Sequence, residues 1–299
     1  MKQIPPDYTK EDIEADHLQD QYTLMFGILG RRILEELGIG GEQALREAVR
    51  RYGADRGLKD QQKHLKAGCK INMYSAFNCG AGLPGNKRTH SIRFQSVPEA
   101  HTSQVLTCPM AEIWDEYGCF DIGRIYCEEF HFAYYNTYAF GKAKVNLATT
   151  LTERGTEYCS FHVLLNPAEL SEEEKARCFE EYDIKPEEAD LSQFQRISAQ
   201  EGYRFLYLRL YYYIAVTLQE YLGEQGKETL IHGLHELAGL VRDCIREEEQ
   251  TPDLCYLEKN YPVLMDTSRE PNWMAYQEGS ARKLLQTEFC DRLMKELQI

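Results

Sequence analysis

The chain has 299 residues, 43% of them hydrophobic and 27% charged, which excludes a disordered or collagen-like protein and suits one large domain or two ordinary ones. With 34 basic against 48 acidic residues the net charge is −14, a surface that repels phosphate backbones and anionic headgroups and argues against nucleic-acid and membrane partners. Ten cysteines are the unusual feature. Residues 1–17 show no apolar core of a signal peptide, so the sequence predicts a cytoplasmic chain with reduced thiols and no disulfide framework.

The N-terminal region predicts a helical hairpin. Thr9 and Asp12 form a capping-box signal, and Leu18, Tyr22, Met25, Leu29, Ile33 and Leu37 recur at steps of three and four. Gly38, Gly40 and Gly41 end that helix, and Leu45, Ala48, Val49 and Tyr52 form the inner face of a second. From Ala67 to Thr89 the pattern reads as loop, a surface loop or a lid in the part from Cys69 to Lys87. The run from Gly80 to Gly85 spells G-x-G-x-x-G, but no strand precedes it and no helix follows, so it is not a nucleotide site.

Alternating runs then predict strands at Ser91–Val97, Thr102–Thr107, Lys144–Leu151 and Glu157–Leu165, with helices at Met110–Tyr117 and Ile122–Tyr134 between the second and third. This order reads as α+β with a small antiparallel sheet. Beyond Pro167 the chain turns helical. Ser171 and Glu174 make a second capping box, and long helices are predicted at Glu201–Leu222, Lys227–Glu248 and Gly279–Leu297, with a Tyr/Pro/Trp-bearing connection before the last. Arg204, Arg209, Gln219 and Glu220 interrupt the apolar stretch Tyr203–Leu222, which reads as a buried helix and not a membrane span. The pair of long helices repeats the first hairpin at an offset of 185 residues: Ile33 matches Leu218, Leu37 matches Leu222, Gly38 matches Gly223, and Gly41 matches Gly226. Chance convergence and true duplication both fit this short match. The expected organisation is an α+β domain over residues 1–167 and a mainly α-helical extension over 168–299, the latter offering a platform for a homo-oligomer.

No C-x-x-C, H-E-x-x-H, P-loop or G-x-S-x-G motif is present. The chemistry-bearing cluster is Cys108-Pro109, then Tyr126-Cys127 to His131, Tyr135-Asn136 and Tyr158-Cys159. Cys127 and His131 stand one helical turn apart, a spacing that suits an imidazole taking the thiol proton or two ligands of one metal ion. Cys108 precedes a proline-opened helix, whose positive end favours thiolate. Asn136 and Tyr135 could contact substrate, and Cys159 shares a strand face with Phe161. Each also reads as core packing, Glu128 and Glu129 as a solvated helix edge, and Cys119 as core.

These motifs, together with Gly155-x-x-x-Cys159-x-Phe161 and the stretch from Leu37 through Arg50-Arg-Tyr-Gly-Ala-Asp-Arg-Gly57, resemble the L-2-amino-thiazoline-4-carboxylic acid hydrolase family over about residues 22–165. The resemblance implies a hydrolase that opens a sulfur-containing cyclic amidine to an N-carbamoyl amino acid. On that implication Cys127 serves as nucleophile, His131 as base and then acid, Cys108 as a second thiol, and Asn136, Cys159 and Tyr135 contact the substrate. No cofactor is expected; the alternative is Zn²⁺ on Cys108, Cys127 and His131 with an open position for water. A non-catalytic, sensor-like ligand-binding domain is the competing reading.

Overall fold

The computed structural model describes residues 7–80, 86–186, 188–194, 197–249, 251–267 and 280–299. The glycine-rich run at 81–85 and the Trp-bearing part of the late connection lie outside them. The chain forms α1 (Lys10–Lys66), α2 (Met73–Asn78), β1 (His90–Val97), β2 (Ala100–Thr107), α3 (Pro109–Glu116), α4 (Phe120–Tyr138), β3 (Lys144–Leu147), β4 (Cys159–Leu164), α5 (Glu172–Cys178) and α6 (Ala199–Glu248). Short helices α7 (Leu254–Asn260) and α8 (Pro262–Met265) follow. The C-terminal helical run is α9 (Ser280–Leu284), a π-helical stretch Leu285–Asp291, and α10 (Arg292–Leu297). The strands make one antiparallel sheet in the order β1-β2-β4-β3, so the α+β class holds. Among the described residues no helix is long and apolar enough to cross a membrane.

Two compact units are interleaved in the sequence: one gathers residues 1–48, 112–123 and 198–299, the other residues 49–111 and 124–197. The sequence reading divides the chain at 167/168.

In the first unit, Thr9 and Asp12 close the expected capping box, the Thr9 N–H donating to Asp12 Oδ2 at 2.8 Å and the Asp12 N–H to Thr9 Oγ1 at 3.2 Å. Of the predicted stripe, Leu18, Tyr22, Met25, Leu29 and Ile33 are buried and Leu37, beside the bend, is half-buried. The helix breaks at Gly38, where φ is 55° and ψ −134°. In a straight helix, residues eight apart are separated by about 12 Å. A Cβ built on Gly41 would instead lie 2.6 Å from the Ile33 carbonyl oxygen, and one on Gly30 would lie 3.1 Å from Leu45. The chain therefore folds back as the hairpin read from the sequence.

The same bend recurs 185 residues later. Gly223 has φ 58° and ψ −135°, and a Cβ on Gly226 would lie 2.6 Å from the Leu218 carbonyl oxygen. The two bends are set against each other in this unit, since a Cβ on Gly40 would meet Leu222 at 3.5 Å. Charge pairing joins the hairpins: Glu236 takes both Arg31, at 2.5 Å, and Arg32, while Glu36 accepts from Thr229 at 2.9 Å and faces His232 at 3.1 Å. Arg209, one of the charges within the apolar stretch, is buried and lies 4.8 Å above the Phe205 ring.

In the second unit, α1 and α4 meet at backbone distance: a Cβ on Gly53 would lie 2.8 Å from the Phe130 carbonyl oxygen, and one on Gly57 2.2 Å from that of Tyr134. The opposite side of α4 lies on the sheet. Three details depart from the sequence reading. The segment Ala67–Thr89 contains α2, anchored by buried Cys69, Ile71 and Met73 and by Asn72, whose side chain caps α2 and donates to the Cys178 carbonyl at 2.7 Å. Strand β3 stops at Leu147 instead of Leu151, because the threonines beyond it satisfy one another in a turn, with Thr150 and Thr152 hydroxyls 2.9 Å apart. Glu129 is not at a solvated edge; its carboxylate takes Arg50 Nε at 2.6 Å, while Glu128 takes Arg124 Nε at 2.6 Å.

Alanine at Gly38 or Gly223 meets no atom within 4 Å, so only backbone conformation opposes it. Each single variant is expected to lose about 1 kcal/mol in urea unfolding, with an unchanged m value. Gly57→Ala is expected to cost more, since its Cβ meets backbone. A Gly57→Ala midpoint equal to wild type would refute the close approach.

Candidate functional site

Strand register decides which side chains share the site. His101 stands opposite Val163, Ser103 opposite Phe161 and Val105 opposite Cys159, so all six lie on one face of the sheet. Helix α4 covers that face. Its residues Cys127, His131 and Tyr135 recur every four positions and form one stripe. The His131 ring stands edge-on to Phe161 at 5.1 Å, and Tyr135 lies 5.7 Å from the same ring. Phe77 of α2 ties helix to sheet, stacked on His101 at 3.5 Å and on Tyr135 at 4.9 Å.

The thiols gather at one end of this face. Cys108 lies between β2 and Pro109, which opens α3. Cys127 is half-buried. Burial pushes its thiol well above the ordinary range, the nearby Cys108 and Cys159 push it further, and a hydrogen bond from the Thr152 hydroxyl opposes them. Cys159 is pushed up to about 11 by burial, although its sulfur accepts the Leu151 N–H at 3.1 Å. All three thiols named in the sequence therefore share one neighbourhood, and the threonine-rich turn supplies its polar donors. None of the ten cysteines is in a disulfide, and Cys119 is buried as core.

His131 is pulled down to about 4 by burial alone. At neutral pH it is an uncharged imidazole with a lone pair free to accept a proton. Of the six residues named in the sequence, Asn136 has a structural bond: its Nδ2 donates to the Ala143 carbonyl at 3.1 Å, closing the turn from α4 into β3. Among the described residues no three His, Cys, Asp or Glu side chains are grouped to hold a metal ion, so the zinc alternative on Cys108, Cys127 and His131 finds no ligand set.

Sequence reasoning missed Thr152, Phe77, His101 and Ser103. The alternation His101-Thr102-Ser103 in β2 carried the signal for the last two, since a strand with one covered face buries every second residue. Phe77 carries none, because its segment reads as loop in the sequence. A small cleft with room for about a water molecule, ≈ 10 Å³, lies in the other unit between Gln21, Tyr207, Val241, Tyr261 and Phe289, and has no nucleophile in its lining.

These features define an α+β domain whose sheet is covered by a helix bearing a thiol, an imidazole and aromatic rings. Residues 21–163 match the family model of L-2-amino-thiazoline-4-carboxylic acid hydrolase, so the resemblance read from the motifs is borne out over a little under half of the chain. Neither a curated protein nor a solved structure matches.

Burial holds both His131 and His101 neutral down to about 4 in the folded chain, against about 6.5 when unfolded. Between these values the unfolded chain binds protons that the native state refuses, so their contribution to stability is complete above pH 6.5 and falls as pH drops toward 4. Urea midpoints of wild type should decrease through that window, and His131→Gln and His101→Gln should each flatten the decrease. Parallel curves for wild type and both variants would place these rings in water.

Proposed function

We propose that the chain is a hydrolase opening a small cyclic amidine, such as a 2-amino-thiazoline carboxylate, to an N-carbamoyl amino acid. The observation that carries this reading is the stripe Cys127–His131–Tyr135 laid over the sheet face of Cys159 and Phe161, within the segment matched by the hydrolase family. In the resting state the proton stays on Cys127 sulfur and His131 is empty, because burial disfavours both the thiolate and the imidazolium. A protonated cyclic amidine entering beside Cys127 reverses that preference, since its positive charge stabilises thiolate. The sulfur then attacks the amidine carbon as His131 takes the thiol proton. The ring C–S bond breaks, and the leaving sulfur receives that proton from His131. Water next attacks the same carbon and the bond to the Cys127 sulfur breaks. One proton of water ends on that sulfur and the other leaves through His131 to solvent, because the ring-derived nitrogen already holds a proton from the amidinium, and the product is the urea of an N-carbamoyl amino acid. Thr152, which donates to the Cys127 sulfur, steadies the transient negative charge.

A second reading, a ligand-binding domain without turnover, draws on the same high thiol pKa. Mass spectrometry of 2-amino-thiazoline-4-carboxylate incubated with the protein separates them. On the hydrolase reading, wild type forms the ureido product. Cys127→Ser loses on the order of a hundredfold or more in kcat, and His131→Gln a comparable factor. Full turnover by Cys127→Ser would sink the covalent scheme; ligand-dependent melting shifts without product would favour the binding domain.

A further inference from the structure

The face of the sheet that carries Cys159, Phe161 and Ser103 continues onto β1. Arg93 stands directly opposite Ser103, and Ser103 directly opposite Phe161. Directly opposed residues of antiparallel strands project to the same side. Arg93, Ser103 and Phe161 therefore form one row across three strands, with His131 over the Phe161 end. Adjacent strands lie about 4.8 Å apart, so the arginine enters the row roughly 10 Å from β4. The β-ladder is irregular immediately after it: the pairing shifts between Arg93 and Gln95. Such a bulge bends a strand and re-aims its side chains, and bulges concentrate beside functional sites.

The guanidinium is also oriented without being neutralised. Arg93 Nη1 donates to Asn78 Oδ1 at 2.6 Å. Asn78 is itself fixed, its Nδ2 donating to the Tyr74 carbonyl at 2.7 Å and to Ser96 Oγ at 2.9 Å. In a chain of net charge −14, other arginines of this unit rest on carboxylates: Arg50 on Glu129, Arg124 on Glu128 and Arg177 on Glu173. Arg93 rests on a neutral amide, and among the described residues no carboxylate pairs with it. The remaining N–H groups of its planar fork suit a carboxylate, which accepts two parallel hydrogen bonds. Its neighbours in the row are small or uncharged: Ser103 bonds His101 Nε2 at 3.2 Å, and neither competes for the guanidinium as an anion.

We propose that Arg93 is the residue that recognises the carboxylate of the substrate, so that the site takes small ring acids and discriminates against the same ring without its acid group. This rests on the hydrolase reading for the choice of probe. The acid group lies on Arg93, the ring spans Ser103, and the amidine carbon points toward the Cys127–His131 stripe. Arg93 binds and positions; it moves no proton.

The test uses 2-amino-thiazoline-4-carboxylate and the same ring lacking the carboxylate, with wild type, Arg93→Gln and Arg93→Lys. Arg93 is exposed, so thermal melting of the variants should match wild type, and the lysine variant serves if glutamine disturbs the strand. Arg93→Gln is expected to raise KM for the acid on the order of tenfold to a hundredfold, with kcat nearly unchanged and no effect on the decarboxylated ring. Arg93→Lys should recover part of the loss, because it restores charge without the fork. An unchanged KM for the acid, or equal losses on both probes, overturns the assignment while leaving the hydrolase standing. If wild type turns over neither probe, the hydrolase reading fails and calorimetry with the acid decides the arginine. Binding by wild type that Arg93→Gln abolishes upholds it; binding absent in wild type or unchanged in the variant overturns it.

Discussion

The contact on which the second unit depends is the approach of α1 to α4 at Gly53 and Gly57. These two residues, one turn apart, lie so close to the carbonyls of Phe130 and Tyr134 that no side chain fits between the helices. Close approach fixes both the separation and the rotation of α4, because only one stripe of that helix can face a glycine groove. The stripe facing α1 is aromatic: Tyr126, Phe130 and Tyr134 stack at 5.0 and 5.7 Å, Phe130 lies 5.6 Å from Tyr52, and the Tyr134 hydroxyl donates to buried Asp60 at 2.7 Å. Once those residues are committed to α1, the next residues in sequence, Cys127, His131 and Tyr135, must turn toward the sheet. The chemistry-bearing stripe is thus placed by glycines on another helix.

The same packing sets the electrostatics. A helix pressed between α1 and a sheet leaves its inner stripe little water, so both members of the Cys127–His131 pair are driven to their neutral forms. A thiolate–imidazolium pair, common where a cysteine is meant to react with anything that arrives, is disfavoured in this environment. On the proposed hydrolase reading, reactivity would wait for a charge brought by the ligand. A cationic amidine would supply it for Cys127, and a carboxylate on the opposite end of the same ring would answer Arg93. The two charges of one zwitterionic molecule would match the two electrostatic needs of one sheet face.

Much of this was legible in the sequence where local chemistry is strong. The capping boxes at Thr9 and Ser171, the glycine bend at 38 and the thiol–imidazole spacing on α4 all follow from residue types at fixed intervals, and all occur as read. What escaped depends on residues distant in sequence. Asn72 earns its place as an N-cap and by donating to the carbonyl of Cys178, more than a hundred residues away, so α2 looked like loop. Thr149–Thr152 look like strand by β-branching, yet hydroxyl bonds within the turn outweigh that preference. Glu129 looked solvated because nothing local reveals that Arg50 faces it across the α1–α4 contact.

The boundary of the matched family segment is also not a boundary of packing. The match stops at residue 163, within β4. The core under the sheet does not stop there: Leu170, Cys178 and Phe179 are buried with Ile71, Met73, Tyr138, Phe161 and Val163 in one cluster. Lys70 donates to the Ala176 carbonyl at 2.8 Å and pairs with Asp183, and the Ile71 N–H bonds the Arg177 carbonyl at 3.0 Å. Residues 170–183 therefore hold α2 in position, and α2 carries both Phe77, stacked on Tyr135, and Asn78, which orients Arg93. A chain cut after residue 167 would keep Cys127 and His131 but lose what seats the wall opposite them. The segment read from the sequence as the start of a helical extension packs, in physical terms, with the core that seats α2 beside the candidate site.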